Sequence, residues 1–247
     1  MTSFSERMAK AAKKSRIVLA LDPVSRKSNL KYATGNIRAV AEHVCAVKIN
    51  FHLLLPLSTS QIKEITELAH DKGLQCIADI KLNDIDNTNE IALEQLQKMG
   101  FDAVIANPFM GTSTLTALVQ AAHKKNMGVI ALVYMSHPDA SEGYGLETSE
   151  DMMYRIFFGR AITARADGII IGATQSEILK EISKKKKELG VPLDVYSPGV
   201  GVQGADAVTA AKNGSDYLIV GRAIIEARDP AKQARQMNEE VMRAFSA

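Results

Sequence analysis

The sequence predicts a single (β/α)8 barrel domain that covers residues 1–247. Eight short apolar runs recur along the chain, and longer amphipathic segments separate them. Strands and helices that alternate eight times are typical of this barrel. The length of 247 residues and the 46% share of hydrophobic residues suit one large core. An open, doubly wound sheet is the alternative, because periodicity alone does not close a barrel.

The predicted strands are rich in Val, Ile, Leu and Ala. They cover residues 17–21, 45–49, 75–80, 103–106, 129–134, 168–171, 193–196 and 217–220. Helical spacing of apolar residues is clear in segments 61–72, 90–99 and 176–189, each of which ends near a glycine. We expect the segment before Arg16 to form an extra N-terminal helix that caps the bottom of the barrel. Residues 230–245 are expected to form a last helix, packed on the first strand.

Composition and charge bear on the partners and the cellular location of the protein. The net charge of +2 gives no reason to expect nucleic acid or an anionic membrane as a partner. No apolar run approaches the roughly 20 residues of a membrane span, and the first residues lack the apolar centre of a signal peptide. Cys45 and Cys76 both lie in apolar runs, as expected of reduced core residues. These observations predict a cytoplasmic protein.

The most informative stretch reads IADIKLNDIDNTN, at residues 77–89. Asp79 and Lys81 stand two positions apart at the end of a predicted strand, so regular alternation would point both side chains to one face. The apolar neighbours indicate a strand buried on both faces, where charges are rare unless they are paired. Asp84 follows three residues later and completes the pattern D-x-K-x-x-D.

Other polar residues fall where predicted strands end. Asp22 ends the first strand, and Lys48 lies in the second. Since active sites of (β/α)8 barrels lie at the C-terminal ends of the strands, these residues are expected to face one site. The fifth strand runs into Ser136 and a long polar loop that suits a lid. The seventh and eighth strands end in glycine-rich segments, 197–204 and 220–222. Their backbone N–H groups and the side chain of Arg222 are suited to binding a phosphate group.

In this order and spacing, the motifs LALD, VKIN, DIKLNDIDNTN, YMSHP, SPGVGVQG and IVGR resemble those of the orotidine 5'-monophosphate decarboxylase family, most of all its compact archaeal or bacterial forms. The resemblance runs from about residue 16 to about residue 230. It implies decarboxylation of orotidine 5'-monophosphate to UMP in de novo pyrimidine biosynthesis, with no cofactor and no metal. It also implies a homodimer with shared active sites. Asn107 departs from the family pattern, since some members have histidine at this position. We expect this difference to affect the packing of the site and not its chemistry.

The resemblance also implies a role for each candidate residue. The charge network consists of Lys48, Asp79, Lys81 and Asp84, in which Lys81 protonates C6 and Asp84, with Ile85, reaches the other subunit's site. The substrate-binding residues are Asp22, Lys48 and, across the dimer, Thr88 at the ribose; Ser136, Pro198 and Val200 at the pyrimidine; and Gln203, Gly221 and Arg222 at the phosphate. The chemistry needs such charges, because loss of carbon dioxide leaves a carbanion that the ring does not delocalise.

Two other functions remain open from the sequence. Relatives that act on sugar phosphates use the D-x-K-x-x-D carboxylates to hold Mg²⁺, although they follow the second Asp with small residues, unlike segment 84–89. The more distant alternative is a non-catalytic barrel that binds nucleotides, or nucleic acid through the lysines at 184–187. That lysine run lies on a predicted helix and is most simply a solvated face. We interpret the five histidines as structural.

Overall fold

The structure is a computed structural model that describes residues 2–22, 29–201 and 203–246. Its strands are all parallel and form a closed barrel in sequence order. They are β1 Ile17–Leu21, β2 Ala46–Asn50, β3 Gln75–Leu82, β4 Ala103–Ala106, β5 Gly128–Tyr134, β6 Gly168–Ile171, β7 Asp194–Pro198 and β8 Tyr217–Val220. Ile17 of β1 stands opposite Leu218 of β8, which closes the sheet. The predicted barrel is therefore confirmed, and the open sheet is excluded.

Helices connect the strands on the outside of the barrel. They are α1 Phe4–Ala11, α2 Asn29–Val40, α3 Phe51–Leu54, α4 Thr59–Asp71, α5 Asp86–Lys98, α6 Thr112–Lys124, α7 Met153–Ala164, α8 Ser176–Leu189, α9 Ala207–Lys212, α10 Arg222–Ile225 and α11 Pro230–Ser246. Short 3-10 helices cover Ala41–His43, Pro108–Met110 and Pro138–Glu142. Within the described ranges, none of these helices has the length and apolar character needed to cross a membrane.

Two apolar layers hold the fold together, one between the barrel and the helices and one inside the barrel. The inner layer includes Val18, Ile77, Ile130, Tyr196 and Tyr217. Phe4 and Met8 of α1 are buried in the same layer, so α1 closes the bottom of the barrel as predicted. Gly128 leaves the space that the Phe4 ring fills, because a Cβ atom there would overlap the ring.

Several boundaries differ from those predicted. Helix α4 begins at Thr59, ahead of the predicted residue 61, because Ser58 and Gln61 form a capping box. Helix α5 begins at Asp86 rather than at residue 90, so the polar run after β3 is its first turn. Helix α11 packs mainly against α2 and α9 rather than on the first strand. The two differences in helix starts lie where polar residues can serve either as loop or as helix cap.

Candidate active site

The C-terminal ends of the strands surround a cavity of about 320 Å³, a volume suited to a small molecule. Apolar side chains of the barrel interior form part of its wall, namely Ala20, Ile105, Leu132, Ile170 and Ile219. The polar part of the wall consists of Asp22, Lys48, Asn50, Asp79, Lys81, Ser136, His137, Gln203 and Arg222. The predicted residues at the ends of strands one, two, three, five, seven and eight therefore share one cavity.

A chain of ion pairs runs along the cavity wall from β1 to β3. Lys48 Nζ lies 2.7 Å from Asp79 Oδ2 and 3.6 Å from Asp22 Oδ1. Lys81 Nζ lies 2.8 Å from Asp79 Oδ1. Each oxygen of Asp79 thus accepts a hydrogen bond from a different ammonium group. The charges alternate in sign along the chain, which lets two lysines stand close together at one site.

Lys48 and Asp79, the central ion pair, are only 5% and 6% exposed. Burial and the neighbouring charges shift the pKa of each residue in opposite directions. Burial alone would lower the pKa of Lys48, but the carboxylates of Asp79 and Asp22 outweigh it and raise that pKa above its ordinary value. Burial alone would raise the pKa of Asp79, but Lys48 and Lys81 outweigh it and hold that pKa below its ordinary value. Both side chains are therefore charged at neutral pH.

Asp79 and Lys81 line the same cavity, as predicted, but regular strand alternation is not the reason. The pairing of β3 with β4 shifts register between Ala78 and Leu82. Within that segment Lys81 has φ of +47°, in the left-handed region that residues other than glycine rarely adopt. Such a conformation costs on the order of 1–3 kcal/mol and is concentrated at functional sites. The irregular backbone positions Lys81 Nζ beside the carboxylate of Asp79.

Asp22 lines the cavity, and one of its two carboxylate oxygens is buried without a hydrogen-bond donor in the described part of the chain. Its Oδ1 atom is buried and has no hydrogen-bond partner among the described residues, since 3.6 Å to Lys48 Nζ is beyond hydrogen-bond range. Leaving a buried acceptor without a donor is unfavourable. Because the side chain as a whole is 38% exposed, the other carboxylate oxygen is the one that a ligand hydroxyl group can reach.

Ser136 is held between two glycines at the opposite side of the cavity. A Cβ atom at Gly172 would lie 2.5 Å from Ser136 Cα, and one at Gly199 would lie 3.0 Å from Ser136 Cβ. Gly199 also has φ of +100°, which disfavours any other residue. The segments after β6 and β7 can approach Ser136 only because Gly172 and Gly199, respectively, lack side chains.

The rest of the wall suits an anion. It includes Pro198, Val200, Gln203, Gly221 and Arg222. Arg222 is exposed, and it takes part in none of the ion pairs formed between described residues. Val202, in the predicted glycine-rich segment, lies outside the described residues. A free guanidinium group beside a glycine-rich backbone can bind a phosphate group through several hydrogen bonds.

Three candidate residues, Asp84, Ile85 and Thr88, are exposed and lie outside the cavity. Ile85 is 70% exposed, and Asp84 Oδ1 accepts the backbone N–H of Ile85 at 2.8 Å. Within one chain, the ion-pair chain therefore includes Lys48, Asp79 and Lys81 but not Asp84. Asn107 also lies outside the cavity, where its side chain accepts the N–H of Phe109 at 3.0 Å and caps a 3-10 helix.

Asn50 and His137 also line the cavity, although neither was predicted from the sequence to act at the site. Asn50 is the last residue of the VKIN motif, and it pairs directly with Asp79 across β2 and β3. The sequence did contain a signal for this position. Lys48 and Asn50 are two positions apart on one strand, so their side chains point to the same face of the sheet.

The profile of the orotidine 5'-phosphate decarboxylase / HUMPS family matches residues 15–237. The chain belongs to this family. Within the orotidine 5'-phosphate decarboxylases, it is 36% identical over 225 residues to that of Methanosarcina mazei, covering 91% of this chain and 94% of the relative. It is 35% identical over 228 residues to that of Thermococcus kodakarensis, covering 92% and 97% of the two chains.

A solved structure shares the fold as well as the sequence. The crystal structure of orotidine 5'-monophosphate decarboxylase from Methanocaldococcus jannaschii, complexed with inhibitor BMP, is 30% identical, with a TM-score of 0.78. The match covers 92% of this chain and 99% of that chain. The family indicated by the sequence motifs is therefore confirmed.

Proposed function

We propose that this chain decarboxylates orotidine 5'-monophosphate to UMP in pyrimidine biosynthesis, without a cofactor and as a homodimer. The observation that carries the proposal is the position of Asp79 between Lys48 and Lys81 in a cavity at the C-terminal end of the barrel. Family membership supports it, because the curated relatives that share 33–36% of their residues with this chain are named orotidine 5'-phosphate decarboxylase.

Lys81 is the proton donor in this proposal. Cleavage of the bond between C6 and the carboxylate releases carbon dioxide and leaves the electron pair on C6, in the plane of the ring. The Lys81 ammonium group stabilises this charge and then gives its proton to C6, and solvent restores the proton to the amine. The 35% exposed Lys81 side chain lines the cavity, so its ammonium group can meet a ligand there.

Asp79 has two effects that favour the same reaction. Its hydrogen bond orients Lys81. Its negative charge lies near the substrate carboxylate, and this repulsion is relieved as the carboxylate leaves as neutral carbon dioxide. Lys48 keeps Asp79 ionised within the wall, as the lowered pKa of Asp79 indicates.

The two ends of the nucleotide occupy opposite parts of the cavity. Asp22 and Lys48, which both line the cavity, bind the ribose hydroxyls. Ser136, Pro198 and Val200 contact the pyrimidine, while Gln203, the Gly221 backbone and Arg222 hold the phosphate. The phosphate is remote from C6, so its binding energy is available for ordering the loops around the site and excluding water.

Asp84, Ile85 and Thr88 act in the site of the partner subunit in this proposal. Their exposure in a single chain supports it. Exposed apolar side chains on the segments that follow β2, β3 and β4 accompany them, namely Phe51, Leu55, Ile85 and Phe109. Neighbouring exposed apolar groups at one rim are typical of an interaction surface. If a second copy of the chain packed on this rim, Asp84 of one chain would lie close to Lys81 of the other.

The geometry favours decarboxylation over the Mg²⁺-dependent alternative. Both oxygens of Asp79 are hydrogen-bonded to ammonium groups, and Asp84 lies outside the cavity of its own chain. A carboxylate paired in this way is a poor ligand for Mg²⁺, which needs free oxygens in near-octahedral positions. A cytoplasmic location also forms part of the proposal, and the free, buried thiols of Cys45 and Cys76 support it.

The test is the loss of pyrimidine absorbance when EDTA-treated protein is mixed with orotidine 5'-monophosphate. We expect rapid conversion to UMP. Absence of conversion by folded protein, together with turnover of phosphorylated keto acids after Mg²⁺ is added, would overturn the proposal in favour of sugar-phosphate chemistry. Binding of UMP without turnover of either substrate class would instead identify a non-catalytic nucleotide-binding barrel.

A further inference from the structure

The end of the barrel opposite the cavity contains a repeated arrangement. Four residues precede the even-numbered strands directly, namely Cys45, Asp102, Asp167 and Asp216. Each donates its backbone N–H to a carbonyl at the start of the preceding strand, at 2.8 to 2.9 Å; the acceptors are Ile17, Cys76, Val129 and Val195. The barrel therefore repeats one two-strand unit four times at this end.

In three units an aspartate makes a second link to the same strand residue. The Oδ2 atoms of Asp102, Asp167 and Asp216 accept the N–H groups of Cys76, Val129 and Val195 at 2.7, 2.9 and 2.9 Å. These carboxylates satisfy backbone donors at the strand starts, where buried N–H groups need an acceptor. In the first unit, position 45 is a cysteine, and the Ser15 hydroxyl accepts the N–H of Ile17 instead, at 3.0 Å.

A basic side chain from the helix before the strand pair completes each of the three aspartate units. Asp102 pairs with His70 of α4 at 2.8 Å, and Asp167 pairs with His123 of α6 at 3.0 Å. In the third unit Lys186 of α8 takes the same place, 2.7 Å from Asp216. Each carboxylate thus joins two strands and one helix. We call each set of aspartate, strand N–H and basic side chain a fastener.

The N-terminal helix is attached to two of the fasteners. Arg7 Nη2 lies 3.3 Å from Asp102 Oδ1, and the Ser5 hydroxyl donates to Asp167 Oδ1 at 3.2 Å. Helix α1 therefore contacts the Oδ1 atoms of these aspartates, whereas the strand N–H groups bind the Oδ2 atoms. Its position at the bottom of the barrel therefore depends on polar contacts as well as on the burial of Phe4 and Met8.

We propose that Asp102, Asp167 and Asp216 hold the barrel closed at the end opposite the active site, and that the two histidine fasteners make this closure, with the docking of α1, sensitive to pH. The third fastener has the same geometry but carries a lysine in place of a histidine, and beside it lies Asp194 of β7, whose pKa is raised to about 6 by burial and by the Asp216 carboxylate. The lysine unit therefore serves as an internal comparison for the two histidine units.

The repetition also decides against a metal at the first fastener. His70, Cys76 and Asp102 have ligand atoms within 4.8 Å of one another. The second unit has the same hydrogen bonds, but its strand residue is Val129, which offers no ligand atom. Arg7 is also paired with Asp102. Hydrogen bonding alone explains the arrangement of these side chains.

The charges around the histidines fix the direction of the pH effect. The hydrogen bond that His70 donates to Asp102 raises the pKa of His70 against the effect of burial; the charges of Asp102 and Asp71 add to the rise, and Arg7 opposes it. The hydrogen bond that His123 donates to Asp167 raises the pKa of His123 in the same way, against burial. A raised pKa in the folded state stabilises the fold below the ordinary histidine value of about 6.5, and this stability is lost as pH rises through the folded-state pKa.

The test compares melting temperatures of glutamine variants at pH 6 and pH 9, because glutamine keeps a hydrogen-bond donor and removes the charge. The histidine side chains are 40% and 46% exposed, so a modest effect is expected. His70→Gln combined with His123→Gln should lower the melting temperature by about 2–4 °C at pH 6 and by much less at pH 9. Lys186→Gln should lower it at both pH values and by no less at pH 9, because the neighbouring Asp194, with a pKa of about 6, is ionised there and loses a counter-charge.

Asparagine variants test the carboxylates themselves. Asp102→Asn, Asp167→Asn and Asp216→Asn should each lower the melting temperature at both pH values, whereas Asp139→Asn, at an exposed position, should not. Turnover of orotidine 5'-monophosphate well below the melting temperature should be unchanged in every glutamine variant. Equal pH dependence of the histidine and lysine variants, or wild-type melting of the asparagine variants, would refute the proposal. If an asparagine variant fails to fold, the glutamine series still decides the matter.

Discussion

Lys81 Nζ lies 2.8 Å from the carboxylate of Asp79, and the left-handed backbone of Lys81 produces this contact between residues only two positions apart. A strained backbone is maintained only where the surrounding structure fixes it. The ammonium group is consequently held in place before a substrate arrives. Charge stabilisation by a group that needs no reorganisation is among the most effective contributions to catalysis.

Lys81→Ala is expected to abolish turnover, with kcat lower by at least about 10²–10⁴-fold, because it removes both the stabilising charge and the proton donor. The side chain is partly exposed and contributes little to the core, so folding and UMP binding should persist. Steady-state kinetics and calorimetric binding of UMP test both expectations. Lys180→Ala, on the surface of α8, is the control. A Lys81→Ala enzyme with most of its activity would remove Lys81 from the chemistry.

Asp79→Asn is expected to destabilise the fold as well as to impair catalysis. The buried Lys48 would keep only Asp22, at 3.6 Å, as a counter-charge. Loss of one partner of a buried ion pair costs about 3–5 kcal/mol in the free energy of unfolding. Adding Lys48→Met to Asp79→Asn should recover part of that stability while activity stays low, as denaturant titration of both variants would show. Equal stability of the single and double variants would contradict the pairing.

Arg222→Ala is expected to weaken substrate binding and leave the intrinsic decarboxylation of a truncated substrate in place. The mutation should lower kcat/KM for orotidine 5'-monophosphate by about 10²-fold or more, because a charged hydrogen-bonding group is lost. Slow turnover of the nucleoside without phosphate should be unaffected. A similar loss with both substrates would mean that Arg222 acts elsewhere than at the phosphate.

Mixed dimers test whether the active sites are shared. Lys81→Ala and Asp84→Ala should each be inactive, but a dimer of one with the other contains one site in which both residues are intact. An equal mixture, refolded together, should therefore recover about a quarter of wild-type activity. Lys81→Ala mixed with Asp79→Asn is the matched control, since both residues serve the same chain's cavity and no intact site can form. Absence of recovery in the first mixture would exclude a shared site.

Asn50 is expected to position the substrate. Its side-chain oxygen accepts the N–H of Phe51 at 2.7 Å and caps α3, so its amide N–H₂ group is the part available to a ligand. Asn50→Asp keeps the acceptor but loses the donor and adds a charge beside Asp79. We expect a higher KM in this variant with little change in melting temperature. Wild-type kinetics would show that Asn50 serves only as a helix cap.

The fold was predictable because each strand of a parallel barrel is buried on both faces and reads as a continuous apolar run. Helix starts were less predictable. The polar run from Asp86 to Asn89 reads equally well as a loop and as the first turn of α5, and only the structure distinguishes them.

Most of the cavity was predictable because chemistry-bearing residues follow the strands of this fold at one end. The left-handed conformation of Lys81 was not, since it depends on how β3 and β4 pair rather than on local sequence. The exposure of Asp84 and Ile85 follows from the structure of one chain, and no local pattern reveals it. The fasteners did leave a signal, an aspartate directly before three strands, although no repeat was recognised in the sequence.

The attachment of α1 to Asp102 and Asp167 has a consequence for biosynthesis. Helix α1 leaves the ribosome before the strands of the barrel, yet one of its polar partners lies 95 residues later and the other 162 residues later in the chain. Phe4 and Met8 therefore stay without their native packing during most of translation. Contacts between such distant residues slow folding, because a long loop must be ordered before they form. Docking of α1 therefore comes late, after the residues that form its two polar contacts have been made.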